Sequence, residues 1–192
     1  MNKPLLGQKI AVLVASGFSE KDLVLTQKQL MAAGAEMKIV SMNKGLVNSW
    51  NGQGWGLNFA ADMALNETLA ADFTMLLVPG GQRSIDKLKM TAHTKRIFKG
   101  FMMAEKPVAM FDEALELMDF SEMGEGYMVS GSEAMKEAMV ARGAEWSDEM
   151  VSVSNNMITV RSDAENTEEG AIEVIKFFME SVSSSEPETL AA

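Results

Sequence analysis

The sequence predicts an α/β fold in which a mostly parallel central sheet carries helices on both of its faces. Two observations support this prediction. Short, continuously apolar runs such as KIAVLVA and FTMLLV are typical of strands that are buried on both faces of a sheet. Segments with helical spacing of apolar residues alternate with these runs, and such alternation indicates a parallel sheet covered on both sides.

The elements of the first half follow in order. The first strand, KIAVLVASGF, leads into a helix over SEKDLVLTQKQLMAAGAE, which begins with Ser19-x-x-Asp22 and ends at Gly34. EMKIVSM predicts a second strand. The segment NKGLVNSWNGQGWGLNF has no helical period and is expected to form a loop or a small hairpin. FTMLLVPGG predicts a third strand, and TAHTKRIFKGFMMAE predicts a helix with one apolar face.

The second half begins with a sharp change of direction. Pro107 to Met110 predicts a strand that turns directly into a helix from Glu113 to Met118. GYMVSG and a helix over SEAMKEAMVARGAE follow. MVSVSNNMITVR predicts two short strands joined at Asn155-Asn156, and the last helix is expected from about Thr167 to Val182.

The chain length is that of one domain. We expect 192 residues to form a single domain over 1–182, large enough to bury a substantial core. The composition of SSSEPETLAA predicts a disordered tail over 183–192. Its last residues, Leu190-Ala191-Ala192, resemble a bacterial degradation signal, although an alanine-rich end also arises by chance or from cloning.

Charge and composition exclude several classes of protein. The formal net charge of −10, from 27 acidic against 17 basic residues, argues against a nucleic-acid partner and against binding to an anionic membrane. Cysteine is absent, so disulfides, thiolate nucleophiles and cysteine-ligated metals are all excluded. The apolar run from Ile10 to Ala15 is too short for a signal peptide or a membrane span, and we expect a cytoplasmic protein.

Polar residues and glycines follow three of the predicted strands. In open α/β sheets, binding sites form beyond the carboxyl ends of the strands. Gly80 and Gly81 would let backbone N–H groups point into a pocket, as an oxyanion hole requires. Asp112 would lie on the pocket floor at the start of a helix, and Asp22 lies one turn into the first helix, near the same edge. The three strand ends are Ser16-Gly17-Phe18, Pro79-Gly80-Gly81 and Phe111-Asp112-Glu113.

Taken together, these segments resemble the ThiJ/PfpI superfamily, also called the DJ-one group. The likeness runs from Lys9 to about Phe178, and Trp50, Trp55 and the phrase GAEW look more like the PfpI branch than the human-type branch. The resemblance implies a flavodoxin-like three-layer sandwich, similar to class I glutamine amidotransferases, and a homo-oligomer that is most simply a two-fold dimer. It rests on KIAVLVASGFSEKDL, SWNGQGWGLNF, LLVPGG, KPVAMFDEA and GAEWSDEMVSVSNNMITVR, in this order.

The resemblance also implies which residues occupy the site. The usual elbow of the family is Ala-x-x-Cys-His, with a nearby Glu. Here Asp112 stands at the Cys position, Glu113 at the His position and Asp22 at the Glu position, while Gly80 and Gly81 match the family glycines. The scaffold is kept and the reactive side chains differ.

The substituted elbow leaves two functions open. We expect a non-catalytic or weakly catalytic protein that is stress-related or binds a small molecule. The alternative is a hydrolase or lyase, similar to an amidase, deglycase or glyoxalase, that uses Asp112 as base or nucleophile. No metal-ligand spacing and no dinucleotide or phosphate-binding motif is present, so no cofactor is expected.

Several residues have structural interpretations beside the functional ones. A structural interpretation makes Asp112 the N-cap of the helix from Glu113 to Met118. In the same way, Ser19-x-x-Asp22 has the pattern of a capping box. Trp50 and Trp55 either wall a pocket or pack a loop or subunit contact. The single histidine, His93, is expected on the surface.

The acidic residues of the expected pocket predict a perturbed pKa. Asp22, Asp112 and Glu113 would surround one partly buried site, where like charges cannot all ionise without cost. The helix N-terminus favours an ionised Asp112, so the raised pKa is expected at Asp22, unless a cation such as Arg83 compensates.

Overall fold

The computed structural model describes residues 3–162 and 166–185. The strands are β1 (Lys9–Leu13), β2 (Phe18–Ser19), β3 (Glu36–Ser41), β4 (Gly45–Trp50), β5 (Trp55–Ala61), β6 (Met63–Ala64), β7 (Met75–Val78), β8 (Val108–Phe111), β9 (Met128–Val129), β10 (Glu145–Trp146), β11 (Val151–Ser154) and β12 (Met157–Val160). The α-helices are α1 (Glu20–Ala32), α2 (Gln82–Leu88), α3 (Ala92–Met103), α4 (Glu116–Phe120), α5 (Lys136–Ala141) and α6 (Thr167–Ser185). Short 3-10 turns occupy Leu65–Glu67, Ala70–Asp72, Asp112–Leu115 and Glu133–Met135.

Seven strands form the central sheet, in the order β11-β12-β8-β7-β1-β3-β6. The strand pairs of this sheet are parallel except β11 with β12, which are joined by the predicted turn at Asn155-Asn156. The predicted α/β fold with a mostly parallel sheet is therefore confirmed. Strands β2, β4 and β5 form a separate small sheet, and β9 pairs with β10.

The sheet is covered on both faces because its strands alternate between two cores. Ile10 and Val12 of β1 pack with residues of α1 and α6, among them Leu23 and Phe178. The intervening residues of β1 face the opposite core, which includes residues of α2, α3, α4 and α5 such as Phe98. The apolar side chains of each central strand therefore pack against helices on both faces of the sheet.

Several elements differ from the sequence prediction. The glycine-rich segment forms a hairpin, β4 and β5, which resolves the choice between loop and hairpin. Helix α2 was not predicted, because its seven residues bury only Ser84, Ile85 and Leu88 and show too few apolar positions to reveal a period. The predicted helix from Glu113 to Met118 is a 3-10 turn followed by α4.

The last helix is longer than expected. It continues to Ser185, three residues past the predicted end at Val182, so the first residues of the predicted tail are helical. The rest of that tail, with the terminal Leu-Ala-Ala, lies outside the described residues. No helix within residues 3–162 and 166–185 is long and apolar enough to cross a bilayer.

Candidate functional site

The elbow at the end of β8 has an unusual backbone. Asp112 has a φ of 43°, in the left-handed region that non-glycine residues seldom adopt. Its carboxylate accepts a hydrogen bond of 2.9 Å from the backbone N–H of Ser162. Asp112 is the first residue of the 3-10 turn, and the N-cap position belongs to Phe111. The predicted N-cap role of Asp112 is therefore wrong, because the chain begins to coil at Asp112 itself.

Asp22 is buried below the elbow, with 1% of its surface exposed. One carboxylate oxygen accepts the backbone N–H of Gly80 at 2.9 Å, and the other accepts the hydroxyl of Ser162 at 3.1 Å. The predicted capping box is wrong. Ser19 occupies the N-cap position of α1 without a side-chain capping bond, and its backbone N–H donates to the Gly80 carbonyl at 2.8 Å.

The two glycines after β7 each donate a backbone hydrogen bond to a side-chain carboxyl group. Gly80 N–H donates to Asp22, and Gly81 N–H donates to the Glu113 carboxylate at 2.9 Å. These are the donors that were expected to form an oxyanion hole, and they already donate to side-chain carboxyl oxygens of the chain. Gly81 has a φ of 105°, and a Cβ there would lie 2.6 Å from the Gly17 carbonyl oxygen, so glycine is required.

The pKa of Asp22 is raised to about 6, mainly because burial disfavours the ionised carboxylate. Hydrogen bonds from Gly80, Ser19 and Ser162 act in the opposite direction, and the charge of Glu113 makes the smallest contribution to the rise. The predicted direction is confirmed for Asp22. Its cause differs from the prediction, since desolvation outweighs repulsion between like charges.

Ser162 connects the acidic residues, and sequence reasoning missed it. Its backbone N–H donates to Asp112, and its hydroxyl contacts both Asp22 and the Thr167 hydroxyl, the latter at 3.1 Å. The sequence signal is that polar residues directly follow β12. Because Val160 pairs in register with Phe111, these residues lie beside the elbow. Recognising it required knowing that β8 and β12 are neighbours.

A cavity of about 270 Å³ lies above these residues, at the carboxyl ends of the strands. Trp50 contributes to its wall. Trp55 lies outside the cavity lining and contacts Trp50 edge to face, with 5.7 Å between the ring centroids. The Arg83 guanidinium stacks 3.9 Å from the Trp50 ring centroid. The residues lining the cavity are Ser19, Lys21, Asp22, Trp50, Asn51, Gly52, Gly81, Asp112, Glu113, Ser162 and Thr167.

The hairpin that carries Trp50 is fixed to α1 by Glu20. The Glu20 carboxylate accepts the hydroxyl of Ser49 and, at 2.7 Å, the backbone N–H of Leu57. These two hydrogen bonds lower the pKa of Glu20. The wall of the cavity is therefore held in place by an ionised carboxylate that lies outside the cavity.

Other candidates fall outside the cavity. His93 is exposed on α3 and does not line it, as predicted, so a Ser–His–Asp triad does not form there. In the described part of the chain, Arg83 makes no ion pair with the acids of the site. Over the same residues, no group of three or more acidic or histidine side chains is arranged to hold a metal ion.

A model of the DJ-1/PfpI family matches residues 8–175. The chain belongs to this family. It is 27% identical over 158 residues to YraA of Bacillus subtilis, provisionally named a cysteine protease, covering 82% of this chain and 90% of that protein. It is 24% identical over 153 residues to Deglycase PfpI of Pyrococcus furiosus, covering 80% of this chain and 89% of that protein.

Among solved structures, the fold is similar to that of a two-domain Anabaena variabilis protein with DJ-1/ThiJ/PfpI-like and ferritin-like domains. The TM-score is 0.81 at 21% identity, over 96% of this chain. The chain spans 52% of that protein. The family resemblance inferred from the sequence motifs is thus confirmed.

Proposed function

We propose that this chain is a small-molecule-binding member of the DJ-1/PfpI family that has lost the family's thiol chemistry. The chain contains no cysteine, so the cysteine-protease chemistry suggested by the name of YraA is not available to it. Asp112 stands at the elbow, where the family resemblance implies the nucleophile. A stress-related role is part of the same proposal and follows from the family resemblance alone. The cytoplasmic location expected from the sequence stays a prediction.

One observation supports the loss of catalysis above the others. The N–H groups of Gly80 and Gly81, the natural donors to an oxyanion, donate instead to Asp22 and Glu113. A developing negative charge on a substrate would have to displace a carboxylate from its donors. Because oxyanion stabilisation is often the largest single contribution to acyl-transfer catalysis, its loss argues against a hydrolase of ordinary efficiency.

The same contacts suggest which ligands fit. Asp112 and Glu113 are half-buried at the cavity, and their carboxyl oxygens offer hydrogen-bond acceptors to a ligand. The Trp50 ring supplies an apolar wall on one side. A small ligand rich in hydroxyl or amine donors, such as a polyol or an amino sugar, suits this combination.

A ligand screen on the whole protein tests the proposal. Thermal unfolding is measured with a panel of polyols, amino sugars and small amines, because a ligand that binds only the native state raises the unfolding temperature. We expect at least one compound to raise it, and Asp112→Asn to reduce that rise. Asp72→Asn is the matched control, since Asp72 is an exposed aspartate in a distant 3-10 turn. Equal rises for both variants would contradict a site at the elbow.

The second candidate is a hydrolase or lyase in which Asp112 acts as base or nucleophile. The strained backbone of Asp112 favours it, because such strain clusters at active sites. Amidase, peptidase, esterase, deglycase and glyoxalase assays on wild type and Asp112→Ala separate the two functions. A wild-type activity that Asp112→Ala abolishes and Asp72→Ala retains would overturn the non-catalytic proposal.

A further inference from the structure

The tip of the β4–β5 hairpin has a feature that the proposed function does not use. Residues 51–54, Asn-Gly-Gln-Gly, connect the two strands, and the turn is closed by a 3.1 Å hydrogen bond from Asn51 N–H to the Gly54 carbonyl. Asn51, Gly52 and Gln53 are exposed, and the first two also line the cavity. An asparagine followed by glycine therefore lies between solvent and the candidate site.

The Asn51 side chain is held by its own backbone. Its Oδ1 accepts the N–H of Gln53 at 3.0 Å and the N–H of Gly54 at 2.9 Å. Gly52 has a φ of 99°, and a Cβ built on it would meet no atom within 4 Å. The backbone nitrogen of Gly52 directly follows Asn51 in the chain, and Gly52 has no side chain to hinder the approach of this nitrogen to the Asn51 amide.

We propose that Asn51 is a site of spontaneous deamidation through a succinimide formed with the backbone nitrogen of Gly52. A base in solvent removes the Gly52 amide proton, and the nitrogen lone pair attacks Cγ of Asn51. A Cγ–N bond forms, the Cγ–Nδ2 bond breaks, and Nδ2 leaves as ammonia after taking a proton from water. Water then adds to one of the two ring carbonyls and opens the ring to aspartate or isoaspartate. No oxidant or reductant is needed.

The turn favours the first step. As nitrogen attacks Cγ, negative charge develops on Oδ1, and the two backbone N–H groups are already directed at that oxygen, as in an oxyanion hole. Asn155 offers a contrast in the same molecule. It is also exposed in a hairpin turn, but the next residue is Asn156, and its own Nδ2 donates to the Gly126 carbonyl.

Deamidation would change the wall of the cavity. It adds a carboxylate to a site that already contains Asp22, Asp112 and Glu113. The isoaspartate product also lengthens the backbone by one carbon next to Trp50, which packs against Trp55 across the hairpin. Because ring closure involves only the hairpin tip, the modification does not depend on any ligand of the site.

Incubation of the folded, full-length protein at mildly alkaline pH tests the proposal. Peptide mass spectrometry follows the replacement of the amide NH₂ by OH at each asparagine, and the Asn155 peptide provides an internal control. We expect Asn51 to deamidate at least ~10-fold faster than Asn155, which corresponds to a barrier lower by ~1.4 kcal/mol. Equal rates at the two positions would overturn the proposal.

A variant and a second readout test the mechanism and its consequence. Asn51→Gln keeps the amide but places it one carbon farther from the Gly52 nitrogen, and modification at this position should fall below detection. The near-ultraviolet circular dichroism of the Trp50–Trp55 pair should change in wild type in step with modification and remain constant in Asn51→Gln. A constant signal in fully modified wild type would overturn the claim that deamidation reshapes the wall.

Discussion

Asp22 shows how one buried carboxyl group can make the stability of the whole domain depend on pH. Its pKa in the folded protein is about 6, against 3.8 for the unperturbed group. The folded state therefore binds the proton more tightly than the unfolded state between these values. The contribution of this group to the free energy of unfolding is highest at acidic pH, and it falls as the pH rises from about 4 to about 6.

Replacing Asp22 by asparagine should remove this dependence. The amide oxygen can still accept the Gly80 N–H, and no ionised form has to be buried. Relative to wild type, Asp22→Asn should gain about 2 kcal/mol in unfolding free energy on going from pH 4 to pH 7. Each unit of pKa shift corresponds to about 1.4 kcal/mol, and the unfolded carboxyl group is already partly ionised at pH 4. Urea unfolding at the two pH values measures it. A difference between the proteins that does not change with pH would contradict a raised pKa.

Ser162 should influence the same titration. Its hydroxyl hydrogen bond is one of the contacts that lower the pKa of Asp22 against the larger effect of burial. Ser162→Ala is therefore expected to raise the Asp22 pKa further, as measured by carbon-detected NMR of the carboxyl groups. Ser132→Ala, at a half-buried serine outside the cavity lining, provides the control and should leave the pKa unchanged.

At the scale of elements, the sequence was most informative where the pattern was local. The apolar strands, the α3 helix and the turn at Asn155-Asn156 follow from residues within one segment. The helix α2 and the role of Ser162 do not, because α2 is short and Ser162 meets Asp22 only through the order of strands in the sheet. Contacts across 140 residues are set by tertiary packing and leave no local signal.

The turn after β7 is where backbone conformation matters most for the site. In Gly81→Ala, the alanine backbone would have to adopt a φ of 105°, and its Cβ would collide with the Gly17 carbonyl oxygen. We expect a loss of stability of about 3 kcal/mol or more, because both strain and a backbone clash contribute. Gly126→Ala is the matched control: its φ is also positive, but its Cβ would meet nothing within 4 Å, so only about 1 kcal/mol should be lost. Chemical denaturation distinguishes the two, and equal losses would contradict the packing argument.

At the scale of the whole molecule, the surface near the cavity carries apolar side chains that packing within one chain does not cover. Trp55 is 56% exposed and Met90 is 82% exposed, and both line a shallow cleft between the hairpin and α2. Arg83 and Lys87 border the same cleft. Large exposed apolar side chains that lie together are typical of surfaces that bind other proteins.

We propose that this cleft is part of the contact in a homodimer, the oligomer that the family resemblance implies. Light scattering at micromolar concentration should give twice the chain mass of 20.9 kDa. Met90→Glu should shift the mass toward that of the monomer, because it replaces an apolar contact by a charged side chain that is costly to bury at an interface. Met103→Glu is the matched control, since Met103 is 80% exposed on α3 and does not line the cleft. A monomeric wild type would refute the dimer. A Met90→Glu variant that stays dimeric would instead place the contact on another face.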